Sequence, residues 1–301
     1  MNAFLTLLKR EWLEARLAFL WFPLAALAAF IFMGLMMLAI SGVGEVEVII
    51  RSEGDAPNFF FPNQWSDQDW QARMAVFRNV FNRPFHLLYM IGALFVLLGS
   101  LYDERKDRSV LFWKSLPVTD LSTVLSKLVV PLWIAPLVVI ACTLTAQIFA
   151  LMVLSAHLSS TGLGDPWLLW QHAGLATEAF RLLLGFLIQG LWVLPVAGYL
   201  LLVSASVPGL TLLWALAVPV LAASLEYALF GTRLLGTGFA RHLEPAALAD
   251  FTGNRDRIMP APHTVSDQLG LLLDPDLWLG VIIGAGLVYA AAWVRGRSNE
   301  L

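Results

Sequence analysis

The sequence predicts an all-α integral membrane protein with six transmembrane helices, an amphipathic interfacial helix before them, and a cytoplasmic helix between spans 2 and 3. The first observation is composition: 58% of the 301 residues are hydrophobic and 14% are charged. A soluble domain is roughly 45–50% apolar and about 25% charged. The second observation is a mean hydropathy of +0.73. This composition excludes intrinsic disorder, and the small net charge of −3 does not indicate a nucleic-acid partner.

Apolar stretches near the length of a bilayer span recur along the chain, so residues 1–301 are predicted to form one transmembrane domain. A helix needs about 20 mostly apolar residues to cross the hydrocarbon core. The predicted spans are residues 17–40, 86–101, 128–154, 182–203, 210–230 and 277–294. The second is the shortest and is expected to borrow residues from 74–85, where Pro84 can bend the helix. Pro131, Pro136, Pro195 and Pro219 can kink the later spans in the same way.

The placement of lysine and arginine predicts that both termini are cytoplasmic. With that orientation, the inner segments hold ten of the 19 basic residues and all four lysines. These inner segments are residues 1–16, 102–127, 204–209 and 295–301. The predicted outer loops, residues 41–85, 155–181 and 231–276, hold the other nine basic residues, all arginine, and most of the acids.

Residues 1–16 carry the pattern of an amphipathic helix. One face of the helical wheel collects Phe4, Leu5, Leu8, Trp12, Ala15 and Phe19. The charged residues of this segment lie elsewhere on the wheel, which is typical of a helix in the membrane interface. The alternative is a short cytoplasmic extension of the first span.

A dense cluster of mixed charge follows the second span at residues 103–108. An apolar and aromatic stretch comes next, and together they predict a short helix at about 107–116 that Pro117 ends. Phe112 and Trp113 lie in this loop among arginine and lysine residues, and such aromatics are typical of interaction anchors. The alternative is that they pack against the membrane surface or against the ends of neighbouring spans.

The run from Tyr102 to Val118, YDERKDRSVLFWKSLPV, followed by Leu125, Ser126 and Lys127, resembles the permease subunits of ABC-2-type exporters. The resemblance implies six spans after an amphipathic helix, with a coupling helix between spans 2 and 3 that docks on a separate ATPase. It implies that this ABC ATPase subunit binds ATP and Mg²⁺, while the permease holds no cofactor. It also implies a second permease subunit, as a homodimer or a heterodimer, and a place in the bacterial inner membrane.

By this resemblance, the chain moves a substrate out of the cytoplasm or the inner leaflet by alternating access. The residues expected to form the ATPase-coupling interface are Glu104, Arg105, Lys106, Asp107, Arg108, Leu111, Phe112, Trp113, Lys114, Leu116 and Pro117. The layout is shared by exporters of drugs, peptides, lipids and polysaccharides, so the sequence leaves the substrate open.

No phosphate-binding loop is present in the sequence. That loop requires G-x-x-x-x-G-K-[ST], and of the four lysines only Lys114 is followed by Ser or Thr, with Trp113 before it. The chain is therefore not expected to be an enzyme, and its energy must come from another polypeptide or an ion gradient. The five histidines show no metal-binding spacing, and Cys142 is the only cysteine, so we expect neither a metal site nor an internal disulfide.

An ion-coupled secondary transporter is the main alternative, and it would carry ionisable residues within its spans. Glu226 is the only acid inside a predicted span, and Gln147 and Gln189 are the other notable polar residues there. These three are the candidate substrate-pathway residues, although Glu226 also lies close enough to the end of its span to reach the outer interface. A non-transporting membrane scaffold is the third class that the sequence leaves open.

Overall fold

The structure, a computed structural model, describes residues 3–41, 66–108, 117–161, 165–243 and 265–297. The described residues are almost entirely helical and contain no strand. Among them, six helices are long and apolar enough to cross a membrane, which confirms the prediction of a multi-pass, all-α membrane protein. These six are Ala3–Met36, Asp67–Lys106, Asp120–Ser160, Pro166–Trp192, Thr211–Phe230 and Pro275–Arg297.

The helices are numbered here in chain order. They are α1 Ala3–Arg16, α2 Phe22–Ser41, α3 Asp67–Lys106, α4 Asp120–Val129, α5 Ala135–Thr161, α6 Pro166–Ala173, α7 Leu175–Trp192, α8 Leu194–Ser206, α9 Thr211–Phe230, α10 Leu234–Leu243, α11 Val265–Gly270 and α12 Pro275–Arg297. The π-helical turns Leu17–Trp21 and Val130–Ile134 join α1 to α2 and α4 to α5, and the 3-10 turn Leu271–Leu273 precedes α12.

The first span and the segment before it form one helical rod rather than a helix followed by a turn. At the π-helical turn the Phe22 N–H bonds to the Leu17 carbonyl, five residues back. Pro23 explains this local widening, since it has no N–H for the Phe19 carbonyl. Phe4 and Leu5 of the predicted apolar face are exposed, whereas Glu11 is buried against the protein. The predicted face is therefore divided, since Phe4 and Leu5 are exposed whereas Ala15 and Phe19 are buried, and Glu11 is buried with them.

The second span is a single helix, α3, of 40 residues. It starts with a capping box between Ser66 and Asp69 and continues through Pro84 without a break, so this proline does not end the helix. At 1.5 Å per residue the helix is about 60 Å long, which is twice the hydrocarbon thickness of roughly 30 Å. Beyond Lys106, Arg108 has a positive φ of 56°, which turns the chain out of the helix.

The fourth span predicted over 182–203 contains a break at Val193, between α7 and α8, close to the predicted kink position Pro195. Pro195 accounts for the break, since it offers no N–H to the Leu191 carbonyl. The shorter piece, α8, packs tightly on α12. A Cβ on Gly198 would lie 2.8 Å from the Gly284 carbonyl oxygen, so this crossing depends on glycine.

Two features fix the ends of the bundle. Helix α10 folds back antiparallel to α9, because its start contacts Glu226 of α9 and its end contacts Trp192.

Helix α1 and the last turn of α12 meet at one end, where Arg10 and Arg295 both contact Glu104. We call this end the terminal end, and the side on which α3 begins the opposite end. The two longest loops that the sequence predicts on the opposite end, 41–85 and 231–276, lie partly outside the described residues.

Candidate functional site

The terminal end is organised around a buried lysine. Thr119 caps α4 by accepting a hydrogen bond from the Ser122 N–H, and this start places Lys127 two turns later, facing the bundle. The Lys127 side chain is only 1% exposed. Its Nζ donates to both carboxylate oxygens of Glu11, at 3.1 and 3.0 Å, and lies 3.0 Å from Oε1 of Glu104. One lysine thus ties α1, α3 and α4 together.

Glu104 is the second centre of this cluster, and it joins two arginines from the two ends of the chain. Its Oε1 accepts from Nη2 of Arg10 at 3.1 Å, and its Oε2 accepts from Nη2 of Arg295 at 3.3 Å. Arg295 also donates through Nη1 to Asp120. A planar guanidinium suits this double contact because its donors point in fixed, divergent directions.

We call these six residues, Arg10, Glu11, Glu104, Asp120, Lys127 and Arg295, the terminal-end network. Three are acids and three are bases, so the cluster is formally neutral. Each acid of the network contacts at least one of its bases, so no carboxylate in it is buried without a partner of opposite charge.

The position of the network relative to the predicted coupling helix is its most informative property. Residues 109–116 lie outside the described residues, but both stems of this stretch are described. Glu104 ends the stem on α3 and Asp120 begins the stem on α4, and Arg295 contacts both. The two ends of the loop are therefore held to each other and to α12 by one side chain.

Two of the predicted interface residues make contacts within the chain itself. Glu104 is buried in the terminal-end network. Arg105 donates through Nη2 to the carbonyl oxygens of Ser204 and Val207, at 2.7 Å each, and so satisfies the last turn of α8. A cation at a helix C-terminus is also favoured by the helix dipole.

The other predicted interface residues divide into two groups. Lys106, Asp107, Arg108 and Pro117 are exposed at the two stems. Leu111, Phe112, Trp113, Lys114 and Leu116 lie outside the described residues. The exposed set surrounds the point where the undescribed stretch leaves and re-enters the bundle.

A cleft of about 460 Å³ lies beside the network. Glu14, Asp103 and Asp107 line it together with network residues, and Phe95 and Ser100 also line it. Most of its lining comes from α1 and α3.

The three candidate pathway residues occupy different surroundings. Gln147 donates to Asn82 at 3.0 Å, and Asn82 donates to Glu178 at 2.8 Å, which makes a buried polar chain toward the opposite end. Glu178 is neutralised by Arg181, whose nitrogens lie 2.9 and 3.0 Å from its oxygens. Gln189 is buried in α7.

Glu226 has a defined structural task. Its carboxylate accepts from the Thr232 hydroxyl at 2.6 Å and from the backbone N–H groups of Leu234 and Leu235, at 2.6 and 2.8 Å. It thereby caps the start of α10, which satisfies N–H groups that have no partner within that helix. The structure does not join Glu226 to the chain of Gln147, Asn82 and Glu178 by any hydrogen bond between described residues.

Sequence reasoning missed the network as a unit, although it named some of its members. Glu104 was predicted only in the ATPase-coupling interface, Arg295 only as part of the positive charge on the inner side, and Lys127 as part of that charge and of the segment that resembles ABC-2-type permeases. One signal was available: Glu11 is followed directly by the apolar residues Trp12 and Leu13, and Lys127 directly adjoins an apolar span. A charge at such a position needs a partner because burial of an unpaired ion is costly.

Comparison with protein-family models, with curated proteins and with solved structures finds no match to this chain. Within the part of the chain that the structure describes, no group of three or more histidine, cysteine or acidic side chains is placed to hold a metal ion. The site is therefore interpreted from its own geometry.

Proposed function

We propose that the chain is the membrane-spanning permease subunit of an ABC exporter of the ABC-2 type. The proposal rests on the resemblance of the Tyr102–Val118 segment and on an architecture compatible with it. Six helices are long and apolar enough to span a membrane, and α1 and the end of α12 lie at the same end as the proposed coupling segment.

The observation that carries the proposal is the double contact of Arg295 with Glu104 and Asp120. A coupling segment must pass displacement to the spans, and a loop on independent, flexible stems would absorb it. Here both stems are tied to α12, and Lys127 ties them to α1. A push on residues 109–116 would therefore move four helices together.

In the proposed mechanism, a separate ABC ATPase subunit binds ATP and Mg²⁺ and docks on residues 106–117, while Glu104 and Arg105 anchor this segment to its own chain. ATP must bind the two conformations of the complex with different affinity, since only such a difference shifts their populations. Two permease subunits, identical or different, then alternate between inward-facing and outward-facing states. The complex would lie in the bacterial inner membrane with both termini of this chain cytoplasmic.

The test is co-expression with the ATPase encoded beside this chain, followed by co-purification and an ATPase assay. Replacing both Phe112 and Trp113 with alanine should abolish co-purification, because truncating an aromatic anchor costs about 2 kcal/mol or more, or roughly 30-fold in affinity. Trp167→Ala is the matched control, since Trp167 is an exposed tryptophan near the opposite end. Retention of the ATPase by the double variant would refute the docking assignment.

A second variant separates docking from transmission. Arg295→Lys keeps the positive charge but removes the planar guanidinium. A lysine can bind the carboxylate of Glu104 or that of Asp120, but not both at once. The ATPase should still co-purify, while stimulation of its activity by substrate or by the permease should fall. Unchanged stimulation of the ATPase would show that the double contact of Arg295 with Glu104 and Asp120 does not transmit the movement.

An ion-coupled transporter remains the alternative that one observation favours. Glu178, Asn82 and Gln147 form a buried polar chain, and buried ionisable groups within membrane proteins often belong to ion pathways. That class predicts transport that persists without the ATPase and stops when the ion gradient is collapsed. A scaffold predicts neither form of transport.

A further inference from the structure

A second cleft, of about 420 Å³, lies between α8, α9, α10 and α12 on the far side of the bundle from the terminal-end network. Its walls are almost wholly apolar. They include Val196, Val218, Pro219, Leu235, Phe239 and Ile283. Its volume lies within the range of roughly 300–1,000 Å³ that small-molecule sites occupy.

The mouth of this cleft carries one charge of each sign. Arg241 of α10 forms an ion pair with Asp276 at the start of α12, and both residues line the cleft. Their side chains are 37% and 40% exposed, so the pair is within reach of a ligand. This arrangement matches an amphiphilic ligand whose apolar tail lies in the cleft and whose headgroup carries both charges.

The cleft is held open by contacts that do not depend on a ligand. Glu226 caps the start of α10, and at its other end the Trp192 indole N–H donates to the Arg241 carbonyl at 2.8 Å. His242 Nδ1 lies 2.8 Å from the Trp192 carbonyl oxygen. Trp192 immediately precedes the break at Val193, so the kink of the fourth span and the position of α10 are fixed together.

We propose that this cleft binds one phospholipid with a zwitterionic phosphoethanolamine headgroup. One acyl chain would lie in the apolar cleft, the phosphate would contact Arg241, and the ammonium would contact Asp276. Charge complementarity supports this occupant over an anionic lipid, because an anionic headgroup would gain Arg241 but meet the Asp276 carboxylate as well. The cleft lies among helices long and apolar enough to span a membrane, so the bilayer itself supplies the ligand.

Substitution of a glycine that lines the cleft can fill it without a steric clash. Gly238 lines it, and a Cβ added there would meet no atom within 4 Å. Gly286 of α12 also has no atom within 4 Å of an added Cβ but does not line the cleft. Gly238→Leu and Gly286→Leu therefore form a matched pair that adds the same side chain inside and outside the proposed site.

The experiment is native mass spectrometry of the purified, delipidated protein titrated with dioleoylphosphatidylethanolamine or dioleoylphosphatidylglycerol. We expect one tightly bound phosphatidylethanolamine, at least tenfold weaker binding of phosphatidylglycerol, and a tenfold loss of phosphatidylethanolamine binding in Gly238→Leu. The Gly286→Leu variant should bind as the unaltered protein does. This measurement needs no ATPase, so its outcome is independent of the proposed exporter function.

A second variant keeps the test decisive if Gly238→Leu does not fold. Arg241→Gln combined with Asp276→Asn preserves the shape of the rim and removes both charges, and it should erase the preference between the two lipids. Equal binding of both lipids by the unaltered protein would overturn the headgroup assignment. Unchanged phosphatidylethanolamine binding in a folded Gly238→Leu variant, or an unchanged lipid preference in the double variant, would overturn the site.

Discussion

Lys127→Met tests whether the terminal-end network holds the bundle together. Methionine preserves most of the length of the lysine side chain but removes its charge. Glu104 keeps its contacts with Arg10 and Arg295, at 3.1 and 3.3 Å. Glu11 loses both hydrogen bonds from Lys127 and retains only Arg10, whose Nη1 lies 3.6 Å away. The loss therefore falls mainly on Glu11.

Removing one partner of a buried ion pair destabilises a protein by about 3–5 kcal/mol, because the other charge stays buried. Arg10 remains close to Glu11 and relieves part of this cost. We therefore expect the lower end, about 3 kcal/mol. At about 2 °C per kcal/mol for a large domain, the melting temperature should fall by roughly 6 °C.

The assay is thermal unfolding of the detergent-purified protein, followed by the fraction that remains monodisperse on size-exclusion chromatography. Lys106→Met is the control, because Lys106 is an exposed lysine near the same end of the bundle. It should change the free energy of unfolding by less than about 0.5 kcal/mol. Glu11→Gln with Lys127→Met should be at least about 1 kcal/mol more stable than additivity predicts. Equal melting temperatures for the two lysine variants, or strict additivity, would refute the reasoning.

Two further predictions concern the helices that frame the second cleft. A Cβ at Gly284 would lie 2.8 Å from the backbone carbon of Leu194 and from the backbone nitrogen of Pro195. Gly284→Ala should therefore cost about 1–3 kcal/mol by forcing α8 and α12 apart, measured by the same thermal assay. The control is Gly286→Ala, because a Cβ at Gly286 meets no atom within 4 Å, and it should leave the melting temperature unchanged. Equal losses of stability in the two variants would contradict the close contact between α8 and α12. Glu226→Gln should weaken the cap of α10 and accelerate tryptic cleavage after Arg241, and an unchanged cleavage rate would show that the cap does not hold this helix.

The spans were predictable because a run of about 20 apolar residues has few other stable environments. The break in the fourth span was only partly predictable. Pro195 was recognised as a position that can kink its helix, yet Pro84 has the same chemistry and leaves α3 continuous. Whether a proline breaks a helix depends on what neighbouring helices offer to the freed carbonyl, and that is a property of packing rather than of local sequence.

The terminal-end network was beyond sequence reasoning for a different reason. Glu11 and Lys127 are 116 positions apart, and no local pattern specifies which of several acids a buried lysine will contact. The cluster at residues 103–108 looks the same in sequence whether its charges face a partner or pack inside. The structure divides it: Glu104 and Arg105 bind their own chain, whereas Lys106, Asp107 and Arg108 are exposed.

The contacts of Arg295 also bear on how the chain is made. Because membrane proteins emerge from the ribosome from the N-terminus, Glu11, Glu104 and Lys127 are all inserted long before Arg295 is synthesised. During that interval Glu104 lacks one of its arginines, and Asp120 has not yet received the Arg295 contact. A chain that stops before its last helix would carry an incomplete charge cluster at the membrane border. Because Arg295 is the side chain that joins Glu104 to Asp120, the stems of the 109–116 stretch are tied to each other only once the last helix is in place.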